Sequence, residues 1–311
     1  MARYVLGRVA QLIPVLLLVS ALVFAIMHIV PGDPAELMLA GAEGGAITPQ
    51  RLAELRQQMG LDEPLLVQYG RFVAGAVTGD LGQSVRYRVP VTGLILERFT
   101  PTLQLSLAGL ALSVLIGVPL GIAAAIRPNS WLDLLAMGAA SLGAAMPIYW
   151  VGLVLILLFS FQLGWFPPAG ADSPAALVLP ALTLALVSAG MLARLVRSSM
   201  IEILSEDFIR AARAKGIGER LVVWRHGLNN AMIPVVTMLG LQFGAMLAGA
   251  VVTEIVFSRP GIGRLVVTAI LQKDYPLVQG CIVFLASVYL LVNLAVDIAY
   301  AWLDPRIRYG T

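Results

Sequence analysis

The chain has 311 residues, 59% of them hydrophobic and 13% charged, with a net charge of +3 at neutral pH. A soluble domain carries roughly 25% charged residues, so this composition excludes an ordinary soluble enzyme and indicates lipid as the solvent. The basic balance does not indicate nucleic acid, because Lys and Arg sit at the ends of apolar runs, where membrane orientation accounts for them.

A spanning helix needs about 20 mainly apolar residues. Runs of that kind occupy approximately 9–30, 102–126, 134–161, 175–196, 231–257 and 279–302, and none alternates as a barrel strand would. They predict an all-α polytopic membrane protein with six transmembrane helices, forming a single membrane domain over 1–311. Arg3 and Arg8 precede the first run like the basic region of a signal peptide. The stretch that resembles a cleavage site, Val19-Ser20-Ala21, lies in mid-run, so an uncleaved signal-anchor helix is expected.

The segment 31–101 follows. Thr48 before Pro49 predicts a helix start and Gly60 its stop, after which Pro64, Gly79, Gly82 and Pro90 punctuate the chain. Its apolar content and mixed charge predict an ordered extracytoplasmic cap rather than a disordered linker. Six spans place both tails on one side. That side carries Arg3, Arg8, Arg127, Arg197, Arg210, Arg213, Lys215, Arg220, Arg225, Arg306 and Arg308, against Arg259, Arg264 and Lys273 in the short opposite connections. The excess predicts cytoplasmic tails.

The cytoplasmic segment 197–230 reads as a helix in which Ile201, Leu204, Phe208, Ala211 and Lys215 follow helical spacing. Glu206 and Asp207 suit its first turn, Arg213 and Lys215 its last, and Gly216 the position just beyond. A second helical stretch, Glu219 to Asn230, leads into the fifth run.

A P-loop needs Gly-Lys-Ser/Thr to hold phosphates. The only lysines, Lys215 and Lys273, follow Ala214 and Gln272, so ATP hydrolysis would belong to another chain. His28 and His226, the only histidines, fall on opposite sides in this topology and cannot share a metal. With a single cysteine, Cys281, an intrachain disulfide and a cysteine-based zinc site are excluded. Neither a catalytic nor a metal-ligating residue is assigned, which argues against a membrane-embedded protease or lipid transferase.

Ionisable residues inside spans are costly and therefore functional candidates. Asp297 lies close enough to the last run's end to pair with Arg306 or Arg308. Glu254, toward the outer end of the fifth run, is open between an outer gate or substrate contact and a structural pair. Gly117 and Gly121, like Gly240 and Gly244, place small residues four apart and predict close helix packing. Gln242, flanked by Met238 and Met246, marks the fifth run as a candidate path lining.

The stretch Asp207-Phe208-Ile209-Arg210-Ala211-Ala212-Arg213-Ala214-Lys215-Gly216, followed by His226-Gly227-Leu228-Asn229-Asn230-Ala231 and Pro234, resembles the coupling loop of binding-protein-dependent ABC importer permeases. Six further stretches, in order, resemble the branch that handles dipeptides, oligopeptides, glutathione or nickel. They are Pro31-Gly32-Asp33-Pro34, Gly60-Leu61-Asp62 with Pro64-Leu65, Gly79-Asp80-Leu81-Gly82, Thr253-Glu254 with Phe257, Pro260-Gly261-Ile262-Gly263-Arg264-Leu265 and Asp304-Pro305-Arg306. The resemblance implies a type I importer permease in a prokaryotic inner membrane. It also implies a homologous second permease subunit, two ATPase subunits that carry ATP and magnesium, an extracytoplasmic solute-binding protein and surrounding membrane lipid.

In that picture the helix ending at Gly216 docks on an ATPase subunit. Asp207 opens it, Phe208, Ala211 and Ala212 supply apolar contact, and Arg210, Arg213 and Lys215 orient it. The competing reading is a proton-coupled secondary transporter, with Glu254 and Asp297 as coupling acids.

Overall fold

The computed structural model describes residues 2–29, 35, 36, 39 and 48–303. The Pro31-Gly32-Asp33-Pro34 and Asp304-Pro305-Arg306 stretches, and Arg308, lie outside them. The described chain is helical, with one isolated antiparallel bridge between Gln83 and Pro90. In order the helices are α1 (Ala2–Ile29), α2 (Pro49–Met59), α3 (Leu65–Thr78), α4 (Val91–Ile126), α5 (Trp131–Ala145) and α6 (Ile148–Leu155). Then come α7 (Ala175–Ser205), α8 (Asp207–Ala214), α9 (Glu219–Leu221), α10 (Leu228–Val256), α11 (Ile262–Leu271) and α12 (Tyr275–Leu303). Two π-helical stretches, Ile156–Gln162 and Val222–Gly227, extend α6 and α9.

Among the described residues five helices are long and apolar enough to cross a membrane: α1, α4, α7, α10 and α12. The run expected as one straight span over 134–161 is instead α5 and α6, bent by 107°, and they make a sixth span if counted together. Pro147 explains the break. It lacks an N–H and pushes Met146 into extended backbone, φ −77° and ψ 136°, which ends α5. The last span also begins earlier than the apolar run at 279, and α11 adds a short apolar helix before it.

The residues group into two compact units, 1–100 with 261–294 and 101–260 with 295–311. In the first, the start of α4 packs with α11 and the start of α12 through Val91, Ile95, Ile262, Leu265, Leu277 and Cys281, all buried. The α2 helix starts at Pro49 and stops at Gly60, which has φ +66°, as Thr48-Pro49 and Gly60 predict. On α3, the Tyr69 hydroxyl donates to the Leu17 carbonyl of α1 at 3.0 Å and lies 2.9 Å from Ser20 Oγ. These bonds give the cap a fixed seat on the first span.

In the second unit α7 is the central helix, with Leu192, Val196 and Met200 buried against Ile122 of α4 and Val223, Ala231 and Val235 of the segment leading through α10. Close approach of α4 to α7 depends on missing side chains. A Cβ on Gly121 would lie 2.6 Å from the Val196 Cβ and 2.7 Å from the Ala193 carbonyl, and one on Gly117 would lie 2.8 Å from the Ala189 carbonyl. The small-residue spacing at 117 and 121 therefore acts as expected. Gly240 likewise admits Val296, whose Cγ2 would be 2.0 Å from an added Cβ.

An ion pair ties α5 to α7. Arg197 donates through Nε and Nη2 to the two carboxylate oxygens of buried Asp133, each at 2.6 Å. Asp133 also accepts from the Asn129 amide at 2.8 Å, and its own amide donates to Ser130 Oγ at 3.3 Å. Such bidentate pairing is the strong form of the contact, and losing one partner strands the other.

Two outcomes follow in thermal unfolding of the purified chain in detergent. Gly121→Ala costs about 1–3 kcal/mol through overpacking, whereas Gly138→Ala, with nothing within 4 Å of the added Cβ, leaves the melting temperature unchanged or raises it slightly. Asp133→Ala melts lower than Asp133→Ala/Arg197→Met, because the double variant removes the stranded guanidinium.

Candidate functional site

The segment 197–230 folds against the end of α7. Where one helix was expected from Ile201 to Lys215, the chain breaks at Glu206, whose ψ of 151° separates α7 from α8. Three local bonds account for the break. Ser205 Oγ donates to the Glu202 carbonyl at 2.6 Å, and the Glu206 carbonyl accepts from Ile209 and Arg210 amides at 3.1 and 3.2 Å, starting a new helix.

At the other end Gly216 takes φ +79°. Its amide donates to the Arg213 carbonyl at 2.9 Å, and that of Ile217 to the Ala212 carbonyl at 3.3 Å. This pair of reverse bonds closes α8 and needs a left-handed residue. The stop read from Gly216 holds.

Ile209, fully buried, anchors α8 to the unit. Asp207, Phe208, Arg210, Ala211, Arg213, Lys215 and Gly216 are exposed, and Ala212 is half-buried. Phe208 is 44% exposed, an unusual setting for a phenyl ring on so short a helix. The expected second helix from Glu219 to Asn230 is α9, the π-helical stretch and the first turn of α10 without interruption. Leu221 and Trp224 project from it, 50% and 53% exposed. With Gly218, Glu219 and Arg220 they line an open cavity of about 690 Å³.

Leu221 and Trp224 escape helical-periodicity reasoning because the π-helical stretch alters which residues share a face. Their signal in the sequence is a bulky apolar pair within a basic loop.

Charge on this surface is partly settled internally. Arg213 donates to both Glu219 carboxylate oxygens at 2.7 and 3.0 Å, and Arg210 lies 3.3 Å from Asp207. The Arg213 guanidinium holds the Glu219 carboxyl below the usual carboxylate range. The contribution of that pair is therefore present at neutral pH and fades only as pH falls through the lowered value. Lys215, Arg220 and Arg225 are exposed and form no ion pair among the described residues. The segment thus exposes three large apolar side chains, Phe208, Leu221 and Trp224, together with the positive charges of Lys215, Arg220 and Arg225.

The remaining candidates lie elsewhere in the second unit. Glu254, fully buried on α10, accepts a hydrogen bond from Thr102 Oγ1 on α4, and its backbone carbonyl accepts from the Arg259 amide at 2.8 Å. Arg259 is itself 4% exposed, and burial depresses its guanidinium pKa while the charge of Glu254 opposes that shift. Gln242 is buried on α10 and donates through Nε2 to the Ser188 carbonyl of α7 at 3.0 Å. Asp297 is half-buried on α12, and the partners proposed for it, Arg306 and Arg308, lie outside the described residues.

Comparison with known proteins places this geometry. Residues 117–309 match the family model described as binding-protein-dependent transport system inner membrane component, and residues 1–107 match the N-terminal model of the same kind of membrane component. The glutathione transport system permease protein GsiC of Salmonella typhimurium (strain LT2) is 48% identical over 309 residues, 99% of this chain and 100% of the relative. GsiC of Escherichia coli (strain K12) is 47% identical over the same span, with the same coverage of both chains.

Among solved structures, a chain of the inward-facing MetNI methionine ABC transporter superposes with a TM-score of 0.59 at 18% identity, covering 68% of this chain and 96% of that one. A chain of an amino acid ABC transporter crystallised with histidines gives 0.52 at 19%, covering 69% and 94%. At those identities the likeness concerns the fold. With a family match over most of its length and relatives close to half identical from end to end, the chain belongs to the binding-protein-dependent transport system inner membrane components, the multi-pass permease chains of ABC importers.

Proposed function

We infer that the chain is the permease subunit of an ATP-driven importer for glutathione or another short peptide, with ATP hydrolysed on partner subunits. The observation that carries this reading is the end-to-end identity with glutathione transport permeases, which leaves no large part of the chain outside the likeness. The coupling surface supports it physically. The exposed apolar side chains Phe208, Leu221 and Trp224, in a segment that also exposes Lys215, Arg220 and Arg225, suit a groove with an apolar floor and an acidic rim on an ATPase subunit. Phe208 inserts, Leu221 and Trp224 widen the contact, and Ile209 transmits the force into the unit.

The turn at Gly216 and the break at Glu206 make α8 a separate short helix. Motion of the docked ATPase subunits then shifts α8 and, through Met200, Val223 and Ala231 of the second unit's core, the spans behind it. Excess positive charge at 197–230 puts this surface and both tails in the cytoplasm. A homologous second permease and an extracytoplasmic solute-binding protein complete the assembly. Glu254 acts as a buried strut between α4 and α10 rather than as a substrate contact, a role supported by the bond it accepts from Thr102 across the two helices.

The test is uptake of labelled glutathione into proteoliposomes that hold the complete assembly and its binding protein. ATP-dependent uptake is expected, and competition by short peptides defines the range of cargo. Uptake by this chain without ATPase subunits, driven by a proton gradient, would instead establish a secondary transporter.

Phe208→Asp and Gly216→Pro are expected to insert normally in the membrane yet lower ATP-coupled uptake at least tenfold, because one removes the apolar anchor and the other the left-handed stop. Normal uptake by either variant rules out this coupling surface. Glu254→Gln keeps the Thr102 bond and retains uptake within about threefold, whereas Glu254→Leu leaves Thr102 and Arg259 without it and lowers the melting temperature.

A further inference from the structure

The loop that joins α3 to α4 in the first unit is built around one buried carboxylate. Asp274, 1% exposed, lies between α11 and α12 and accepts from Ser84 Oγ, from the Val85 amide at 3.2 Å and from the Arg86 amide at 3.1 Å. It also accepts from the Leu277 amide at 3.3 Å, which caps the start of α12. Ser84 Oγ in turn accepts from the Tyr87 amide at 3.0 Å. The Arg88 amide donates to the Ser84 carbonyl, and the Ser84 amide to the Val89 carbonyl, both at 3.0 Å. Every backbone amide from Ser84 to Arg88 is thus satisfied, those of Val85 and Arg86 by Asp274 and the others within the loop. Arg88 is held at φ +54°, a left-handed conformation that a non-glycine residue keeps only where its surroundings impose it.

What this scaffold presents is the exposed sequence Arg86-Tyr87-Arg88. Other cations of the cap are paired: Arg51 with Glu54 at 3.4 Å, Arg56 with Asp62 at 3.1 Å, and Arg71 with Glu63. Arg86 and Arg88 enter no ion pair among the described residues, so the tip carries two uncompensated positive charges around a tyrosine that is 44% exposed.

We propose that the Arg86-Tyr87-Arg88 tip is a docking point for an acidic patch on the solute-binding protein. The proposal rests on the reading that 31–101 is extracytoplasmic. Tyr and Arg are the residue types that dominate binding hot spots, and a backbone already ordered loses little entropy on association. Two like charges on a fixed loop also speed encounter with an acidic partner and select its orientation. Anionic lipid headgroups would attract the same charges, but point charges on flexible stems suffice for that purpose, and an imposed left-handed backbone adds nothing to it.

The complete transporter is placed in nanodiscs of phosphatidylcholine alone and in nanodiscs with added phosphatidylglycerol, and its fluorescent solute-binding protein is titrated in. Arg86→Glu/Arg88→Glu is expected to raise Kd about tenfold or more in both lipids, with ATPase turnover in the absence of binding protein unchanged. An unchanged Kd overturns the proposal. So does weakening confined to the phosphatidylglycerol discs, which assigns the tip to lipid.

Topology is tested separately by Tyr87→Cys and a membrane-impermeant maleimide on right-side-out vesicles, where buried Cys281 contributes little background. Labelling is expected. Labelling only of inverted vesicles overturns the topology together with the proposal, whereas outside labelling with an unchanged Kd for the Glu variant overturns the docking role alone.

Discussion

A chain dissolved in hydrocarbon must pair its backbone amides and carbonyls with one another, because no water is present to take them. That constraint selects helices for the long apolar runs of this protein, and outside the bilayer too a helix that stops leaves backbone groups for side chains, a tight turn or water to satisfy. The interruptions are therefore the informative parts. At Met146-Pro147 the missing N–H of proline makes a break that hydropathy does not register. At Glu206 a serine back-bond and a fresh set of amide bonds replace one long helix by two. At 84–88 a single buried carboxylate, Asp274, takes up amides that neither α3 nor α4 can satisfy.

The second unit uses two devices to hold helices together where the hydrophobic effect gives no preference for helix over lipid. Glycines at 117 and 121 let α4 touch the backbone of α7, so dispersion forces act at short range. The Asp133–Arg197 pair closes the junction of α5 and α7 with bonds whose loss would strand a charge. The proposed coupling surface stands on this frame. Ile209 is buried while Phe208, Leu221 and Trp224 are exposed, the division that anchoring and docking would require of a short helix with both ends defined.

The same logic separates the acids. Glu254 and Asp133 are both buried, and each accepts hydrogen bonds within the unit, Glu254 from Thr102 and Asp133 from Arg197 and Asn129. Buried charge in a membrane chain marks function by default, and each of these acids also bonds a second helix, Glu254 from α10 to α4 and Asp133 from α5 to α7. Gln242, singled out for the path, donates to the Ser188 carbonyl, while its Oε1 is buried without a hydrogen-bond partner among the described residues.

Much of this was legible in the residues alone. The apolar runs and their charged ends carry the all-α membrane fold, because hydrocarbon thickness sets the length of a span whatever its neighbours. The stops at Gly60 and Gly216 are equally local, since a left-handed residue is required wherever such a helix reverses. The order of short motifs was enough for the resemblance to importer permeases. What the sequence could not supply were relations between distant positions: Ser84 with Asp274, Asp133 with Arg197, Thr102 with Glu254. Nothing in the spacing of those residues links them, since pairing across more than sixty positions is decided by which helices pack together. Tertiary structure also decided that Leu221 and Trp224 are exposed, because a π-helical stretch rotates side chains away from the faces that a 3.6-residue period assigns.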